Sequence, residues 1–385
     1  MPSPAMMEEA AKAAAPKEGE GGRLLMVPGP TNLSIGVRQA MSQPQVGHMD
    51  LDYAKEFSEV VRLARKAFRN SNGHQFVLTG SGTLAMEIAV TSIVSPGDKV
   101  LALNTGYFAN RMVEINRAYG ASVEEIRTEF GVGADPDEVR RKLAAGKFKA
   151  VFVTHVDTSS TTCNAIKEIV KEAKNSSCLA VVDGVCSVGG LELDFDRLGA
   201  DVVFTGSQKA LAAPPGTVLI AVSRELLEQM ERRKDSIRGY YLNLLRWKPY
   251  MDDPRGYFAT PAVQLMQALK VALQELDKEG LDARWRRHHE NAEIIREGIA
   301  SAGSTLVVRE RAHRADTVTG VWTKDGAAPD VQRVLRERYN IDVAKGLGEN
   351  GTRMLRVGHF GNLTKEQANY FVDSFANASN WPLKE

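Results

Sequence analysis

The sequence predicts an α/β protein in two parts, a large unit around a mostly parallel sheet and a smaller α+β unit at the C-terminal end. Three observations predict this. Short β-branched runs alternate with stretches of helical periodicity, as strands joined by crossover helices require. A chain of 385 residues exceeds what one ordinary core accommodates. Its 43% hydrophobic and 25% charged residues are the proportions of a soluble globular protein.

Residues 1–22 are rich in Ala, Pro, Glu and Gly and carry almost nothing apolar enough to pack, which predicts a disordered tail. The tail has no apolar run flanked by bases, and Glu8, Glu9, Glu18 and Glu20 argue against a mitochondrial presequence. No stretch suits a bilayer, and the final Pro382-Leu383-Lys384-Glu385 is not a peroxisomal address, so a cytoplasmic location is expected. Val27-Pro28-Gly29-Pro30 is a rigid turn. Within 50–70, Tyr53, Phe57, Val60, Val61, Ala64 and Phe68 recur at helical spacing and predict an amphipathic helix.

Residues 75–79 read as a strand, and Gly80-Ser81-Gly82-Thr83 opens a helix that runs to about Val94. Glycines at such a turn let backbone amides approach a phosphate, and the helix dipole attracts its charge. A structural turn or a dinucleotide site has a similar pattern. The dinucleotide reading also wants an acidic residue at the next strand end, where Asn104 stands. Tyr107 and Phe108 then open the following helix, and either ring suits the face of a flat cofactor.

Strand and helix alternate through 122–126, 135–145, 150–154 and 165–175, and the loop His155-Val156-Asp157-Thr158 follows the third of these. Strand 179–182 ends in Asp183, and strand 201–205 runs into Gly206-Ser207-Gln208-Lys209. Both charged residues stand at the strand-end edge where open α/β sheets deliver functional groups. They are 26 residues apart (209 − 183), enough for one crossover between neighbouring parallel strands.

Beyond the lysine come a strand at 217–222, a charged helix at 224–234 and a turn-rich stretch at 253–261. Helices at 263–276 and 281–302 are separated by Lys278-Glu279-Gly280, a helix stop that sets the unit boundary. The predicted units are 23–278, with the N-terminal segment in the large one, and 279–385. The basic run 284–289, with His288-His289, reads as a solvated helix face. Arg356 sits between apolar residues on a short strand; a carboxylate would match its planar fork, and a solvent-facing edge strand is the plainer alternative.

Lys plus Arg (49) nearly balances Asp plus Glu (48), which gives no electrostatic reason to expect nucleic acid or an anionic membrane as partner. Cys163, Cys178 and Cys186 lack CxxC spacing and are odd in number, so neither disulfides nor a metal site is predicted. A lysine and a carboxylate at neighbouring strand ends suit pyridoxal phosphate. That cofactor needs an amine to hold its aldehyde and an anion to keep its pyridine nitrogen protonated.

Val182-Asp183-Gly184-Val185, Gly206-Ser207-Gln208-Lys209-Ala210-Leu211 and Ala213-Pro214-Pro215-Gly216 resemble the core signature of the class V pyridoxal-phosphate aminotransferases. They resemble its alanine:glyoxylate and serine:pyruvate branch, over about residues 24–375. The resemblance implies fold type I with a seven-stranded large sheet, a Schiff base on Lys209, and a homodimer with shared active sites. Among the cofactor's contacts it implies Ser81, Gly82, Thr83, Phe108, Thr158, Asp183 and Gln208, with Tyr257 and Thr260 reaching the neighbouring subunit's phosphate. It places Arg356 on the substrate carboxylate and Gly29 beside the substrate. The chain departs from the family at Thr83, often histidine, at Phe108, often tryptophan, and at Thr161-Thr162-Cys163-Asn164.

The implied reaction is ping-pong transfer of the amino group of alanine or serine to glyoxylate or pyruvate. Related donors are 2-aminoethylphosphonate and pyridoxamine. A cysteine desulfurase would need a later cysteine than Cys186. A nucleotide-binding oxidoreductase and a non-catalytic homologue are the readings from other classes; Asn104 counts against the first, and Lys209 with Asp183 against the second.

Overall fold

A computed structural model describes residues 22–380 apart from 234 and 325. The stretch read as a disordered tail therefore lies, up to residue 21, outside the described residues. The strands are β1 (Leu24–Met26), β2 (His74–Thr79), β3 (Lys99–Asn104), β4 (Ser122–Arg127), β5 (Ala150–Thr154), β6 (Val156–Asp157) and β7 (Thr162–Cys163). There follow β8 (Leu179–Asp183), β9 (Val202–Gly206), β10 (Thr217–Val222), β11 (Thr305–Leu306), β12 (Val318–Trp322), β13 (Ile341–Lys345) and β14 (Met354–Gly358).

Seven strands form one sheet in the order β2-β10-β9-β8-β5-β3-β4. From β9 to β4 every pairing is parallel, and only β10 runs against its neighbours. The sheet is therefore mostly parallel, as the alternation predicts. Strands covered on both faces need continuous apolar runs rather than alternating ones, and β5, β8 and β9 are buried at every position. Helices Gly82–Ile93, Tyr107–Ala118 and Ile166–Asn175 pack on β9 and β10, on β3 and β4, and on β5 and β8.

Parallel pairing aligns the C-terminal ends. Thr154 lies opposite Asp183, and Asp183 opposite Phe204. Since β2 and β9 both run against β10, the end of β2 at Thr79 joins the same edge, opposite Thr217 and next to the Val218–Gly206 pair. That edge is where the sequence places its functional groups.

The second sheet has five strands in the order β1-β13-β14-β12-β11. Here the structure corrects the sequence reading, which assigned the N-terminal segment to the large unit. β1 pairs in parallel with β13, Leu24 opposite Ile341 and Met26 opposite Val343. The physical reason is apolar coverage, because Leu24 and Met26 are buried in the core formed by Ile295, Ile299, Leu335, Leu355 and Phe371. A separate core surrounds the seven-stranded sheet. Between the two lies a small cluster of Val156, Cys186, Ala210, Ala315, Val318 and Phe360.

The basic run on helix Leu281–Ser301 also differs from its reading as a solvated face. Arg284 is 2% exposed and His288 fully buried, one turn apart on the inward side. Arg284 is admitted there because Glu279 pairs with it at 2.6 Å. Among the described residues no helix is long and apolar enough to cross a membrane.

If β1 is a working strand of the smaller sheet, Met26→Ala should lower unfolding stability by about 2–5 kcal/mol. Denaturant unfolding measures the loss, and hydrogen exchange should quicken at Ile341 and Val343. A change within about 0.5 kcal/mol, the usual range for surface substitutions, would contradict the pairing.

Candidate active site

Asp183 ends β8 as a buried carboxylate, 4% exposed. Its Oδ1 accepts from the Val185 amide at 2.9 Å, and among the described residues no hydrogen bond reaches Oδ2. Burial pushes its pKa up to about 7 and neighbouring Asp157 adds to the rise, against the Val185 amide, Lys209 and Arg111. A carboxylate so placed calls for a cationic hydrogen-bond donor at Oδ2.

Lys209 follows β9 on a tight turn. Ala212 N–H donates to the Lys209 carbonyl at 2.9 Å and Ala213 N–H to the Ser207 carbonyl at 3.0 Å. The lysine is half-buried; its Nζ donates to the Pro28 carbonyl and lies 5.6 Å from the centre of the Phe360 ring. Gly29 lies directly against it. A Cβ at Gly29 would come within 2.6–2.8 Å of Lys209 Cδ, Nζ and Cε and would displace the lysine's tip, and φ there is +89°, a conformation that favours glycine. β8, which ends in Asp183, lies beside β9, which runs into Lys209, so the two groups stand at neighbouring strand ends.

The helix Gly82–Ile93 starts at the same edge. Ser81 is its N-cap, yet its side chain makes no capping bond. Among the described residues the amides of Ser81, Gly82 and Thr83 find no acceptor, which leaves donors and a helix dipole facing outward. A Cβ at Gly82 would stand 3.3 Å from the Val185 side chain, so this helix start abuts the Asp183 loop. Thr83 Oγ1 accepts from Arg111 at 3.2 Å. The Arg111 guanidinium lies 5.1 Å from the centre of the Phe108 ring.

Arg356 is 8% exposed on β14. It donates from Nε to the Lys345 carbonyl at 2.8 Å and from Nη1 to the Thr158 carbonyl at 3.2 Å. Burial lowers its pKa, and among the described residues it has no carboxylate partner. The solvent-facing alternative does not hold, since β14 is an interior strand between β13 and β12, buried throughout.

Comparison with known proteins shows the family. The family model for class V aminotransferases matches residues 34–361. The chain belongs to that family. It is 34% identical over 355 residues to alanine–glyoxylate aminotransferase 1 of Saccharomyces cerevisiae, covering 88% of this chain and 91% of the yeast protein. An uncharacterized aminotransferase of Methanocaldococcus jannaschii is 38% identical over 341 residues, covering 88% of each. The crystal structure of alanine–glyoxylate aminotransferase from Nostoc sp. superposes with a TM-score of 0.88 at 32% identity, over 93% of this chain and 95% of that one.

In this class V aminotransferase the predicted residues divide into two groups. Ser81, Gly82, Thr83, Phe108, Thr158, Asp183, Gln208 and Lys209 lie on the strand-end edge or on the turns and helix starts that follow it, Gly29 lies against Lys209, and Arg356 reaches the Thr158 carbonyl from β14 of the smaller sheet. Gln208 is half-buried beside Gly206, and Phe108 is half-buried where Tyr107 is 55% exposed. Tyr257 and Thr260 are exposed and face each other, with 3.4 Å between hydroxyls. Nothing within the chain bonds them to the cleft among the described residues.

Two site residues escaped the sequence reading. Arg111 stands three positions after Phe108, a spacing that puts both on one helix face. Asp157 is wholly buried; its Oδ2 accepts from the Phe108 and Ala109 amides at 3.1 and 2.9 Å and thereby caps the helix that presents Phe108. The departing loop 161–164 is held by Asn164, whose amide donates to the Thr154 carbonyl at 2.7 Å and to Thr105 Oγ1 at 3.2 Å.

The Asp183 shift gives a stability prediction for the protein without cofactor. Its folded pKa, about 7, lies above the unfolded value, so the native state holds the extra proton between about pH 4 and pH 7. The group's contribution is thus complete below pH 4 and is lost as pH rises through 7. Asp183→Asn should stabilise the cofactor-free protein at pH 8 by up to about 4 kcal/mol, with the gain vanishing near pH 4. Urea unfolding at several pH values measures it; a gain that did not depend on pH would contradict the assignment.

Proposed function

We propose that this aminotransferase uses pyridoxal phosphate to move the amino group of a small L-amino acid, alanine or serine, to glyoxylate or pyruvate in two half-reactions. The observation that carries the proposal is Asp183, buried with one oxygen unpartnered at the end of β8, beside the strand that runs into Lys209. The residues fit the cofactor at each end. Asp183 would hold the pyridine nitrogen protonated, and the free amides of Ser81, Gly82 and Thr83 suit the phosphate. Phe108 would cover the ring, with Thr158 and Gln208 as further polar contacts. When bound, the cofactor supplies an electron sink for a substrate carbanion.

The chain's own residues then divide the work. Lys209 would hold the cofactor's aldehyde at rest, and its free amine would take the proton from the substrate Cα as general base. Gly29 leaves room beside that amine. Arg356 receives the substrate carboxylate, since a buried guanidinium without an anionic partner gains most from a bidentate acid. This favours α-amino and α-oxo acids over pyridoxamine or 2-aminoethylphosphonate, although a pyridoxamine–pyruvate aminotransferase from Mesorhizobium loti superposes with a TM-score of 0.87 at 28% identity. Serine and alanine are the donors in the names of relatives from Methylorubrum extorquens and Saccharomyces cerevisiae. Against an oxidoreductase, β3 ends in Asn104 and not in the acidic residue that a ribose hydroxyl would bond.

A homodimer with shared sites belongs to the same proposal. Tyr257 and Thr260 would complete the neighbouring subunit's phosphate site. Their exposure fits that role, as does the exposed apolar surface of Ile35, Met41, Val46, Met49, Leu51 and Tyr240. The proposed location is cytoplasmic, and the unpaired Cys163, Cys178 and Cys186 suit a reducing compartment.

With pyridoxal phosphate added, the wild type should show a visible chromophore that Lys209→Ala loses. A panel of amino acids followed through conversion of the bound cofactor to its amine form should give turnover with alanine and serine. Failure of both alongside success of 2-aminoethylphosphonate would overturn the substrate assignment. Arg356→Met should raise KM for the amino acid about 100-fold. Mixing inactive Lys209→Ala with Tyr257→Ala subunits should restore activity through hybrid dimers; no restoration would mean each subunit is self-contained.

A further inference from the structure

The inward face of helix Leu281–Ser301 is tied to the turn that carries Lys209. Arg284 donates from Nη2 to the Ala210 carbonyl at 2.6 Å and to Asn362 Oδ1 at 3.2 Å, and from Nη1 to Glu279 at 2.6 Å. Arg287 grips the same carboxylate at 2.7 and 3.0 Å and donates to the carbonyls of Gly361 at 2.9 Å and Leu363 at 2.8 Å. His288 Nε2 accepts the Gly361 amide at 3.0 Å, and its Nδ1 meets the Arg284 carbonyl at 2.8 Å. Full burial holds this imidazole well below its usual pKa, so it stays a neutral acceptor.

These bonds converge on one short strap. Residues 359–363 continue from β14, the strand that carries Arg356, and the Phe360 ring lies 5.6 Å from Lys209 Nζ. At Gly361 a Cβ would stand 3.1 Å from Ala212 Cβ and 3.6 Å from the Lys209 carbonyl, so strap and lysine turn are in direct contact. Thr31 Oγ1 donates to that same Lys209 carbonyl at 3.3 Å. Burying a guanidinium costs too much for a residue that only fills space, and the three Arg284 bonds fix one carboxylate, one backbone carbonyl of the lysine turn and one side chain of the strap.

We propose that Arg284 is a positioning residue for the reacting lysine: braced by Glu279, it clamps the Lys209 turn to the strap from the Arg356 strand and so fixes amine against guanidinium. This rests on the roles proposed above for Lys209 and Arg356. The same helix supplies an internal comparison. Arg296 is equally buried, at 5% exposed, yet it binds Glu293, Asp316 and the Ala315 carbonyl and makes no bond to the lysine turn.

The test compares Arg284→Met, Arg284→Lys and Arg296→Met. In the cofactor-free protein, Arg284→Met should speed amide exchange at Ala212 and Gly361 by about tenfold or more, and Arg296→Met should not. In the loaded enzyme, Arg284→Met should slow the first half-reaction with saturating alanine by about 10- to 100-fold. Affinity for alanine should stay within about twofold, because Arg356 is held by carbonyls of its own. Arg284→Lys should recover part of the rate. Equal effects of the Arg284 and Arg296 variants, or lost affinity at an unchanged rate, would overturn the proposal. Should Arg284→Met fail to fold, Arg284→Lys and Asn362→Ala provide the same comparison. A wild type that forms no borohydride-stable adduct at Lys209 would defeat the underlying reading instead. The exchange measurement needs no cofactor and separates the two failures.

Discussion

A carboxylate buried at the end of a central parallel strand is the constraint around which this molecule is organised. Asp183 is carried inward by Leu179, Ala180, Val181 and Val182, all buried, so its depth follows from the strand rather than from any polar preference of its own. In that setting one amide bond does not repay desolvation, and the carboxyl is held near neutrality. A cationic donor placed at its free oxygen would offset that cost and return the group to its ionised form.

The surrounding pieces are held by close approach more than by long-range charge. Gly82 meets Val185, Gly29 meets Lys209, and Gly361 meets Ala212; at each point a side chain would press on the neighbour. The cleft is thus assembled from the large sheet's edge, the N-terminal segment and the strap after β14. Because β1 belongs to the smaller sheet while Gly29 lies against Lys209, the first described residues connect the smaller core to the lysine turn.

Much of this was legible in the sequence, for a physical reason. Strands buried on both faces appear as uninterrupted β-branched runs, so the ends of β8 and β9, and with them Asp183 and Lys209, could be located from one chain. The glycine-rich start of the helix Gly82–Ile93 was legible through its turn chemistry. What stayed hidden depended on partners remote in sequence. β1 has three residues, too few for a periodic pattern, and its partner β13 is near the other end of the chain. Arg284 and His288 looked solvated because charge usually marks the outer face; Glu279, the Ala210 carbonyl and the Gly361 amide, which periodicity does not register, hold them inside. Asp157 and Arg111 act by holding neighbouring elements, and residue type alone does not announce that.

The central claim is that Asp183 and Lys209 serve opposite ends of one pyridine ring, and the protonation state of that ring's nitrogen tests it most directly. With pyridoxal phosphate labelled with nitrogen-15 at the ring, the bound wild type should give the chemical shift of a pyridinium, and Asp183→Asn that of a neutral pyridine. A neutral ring in the wild type, or an identical shift in both proteins, would contradict the account.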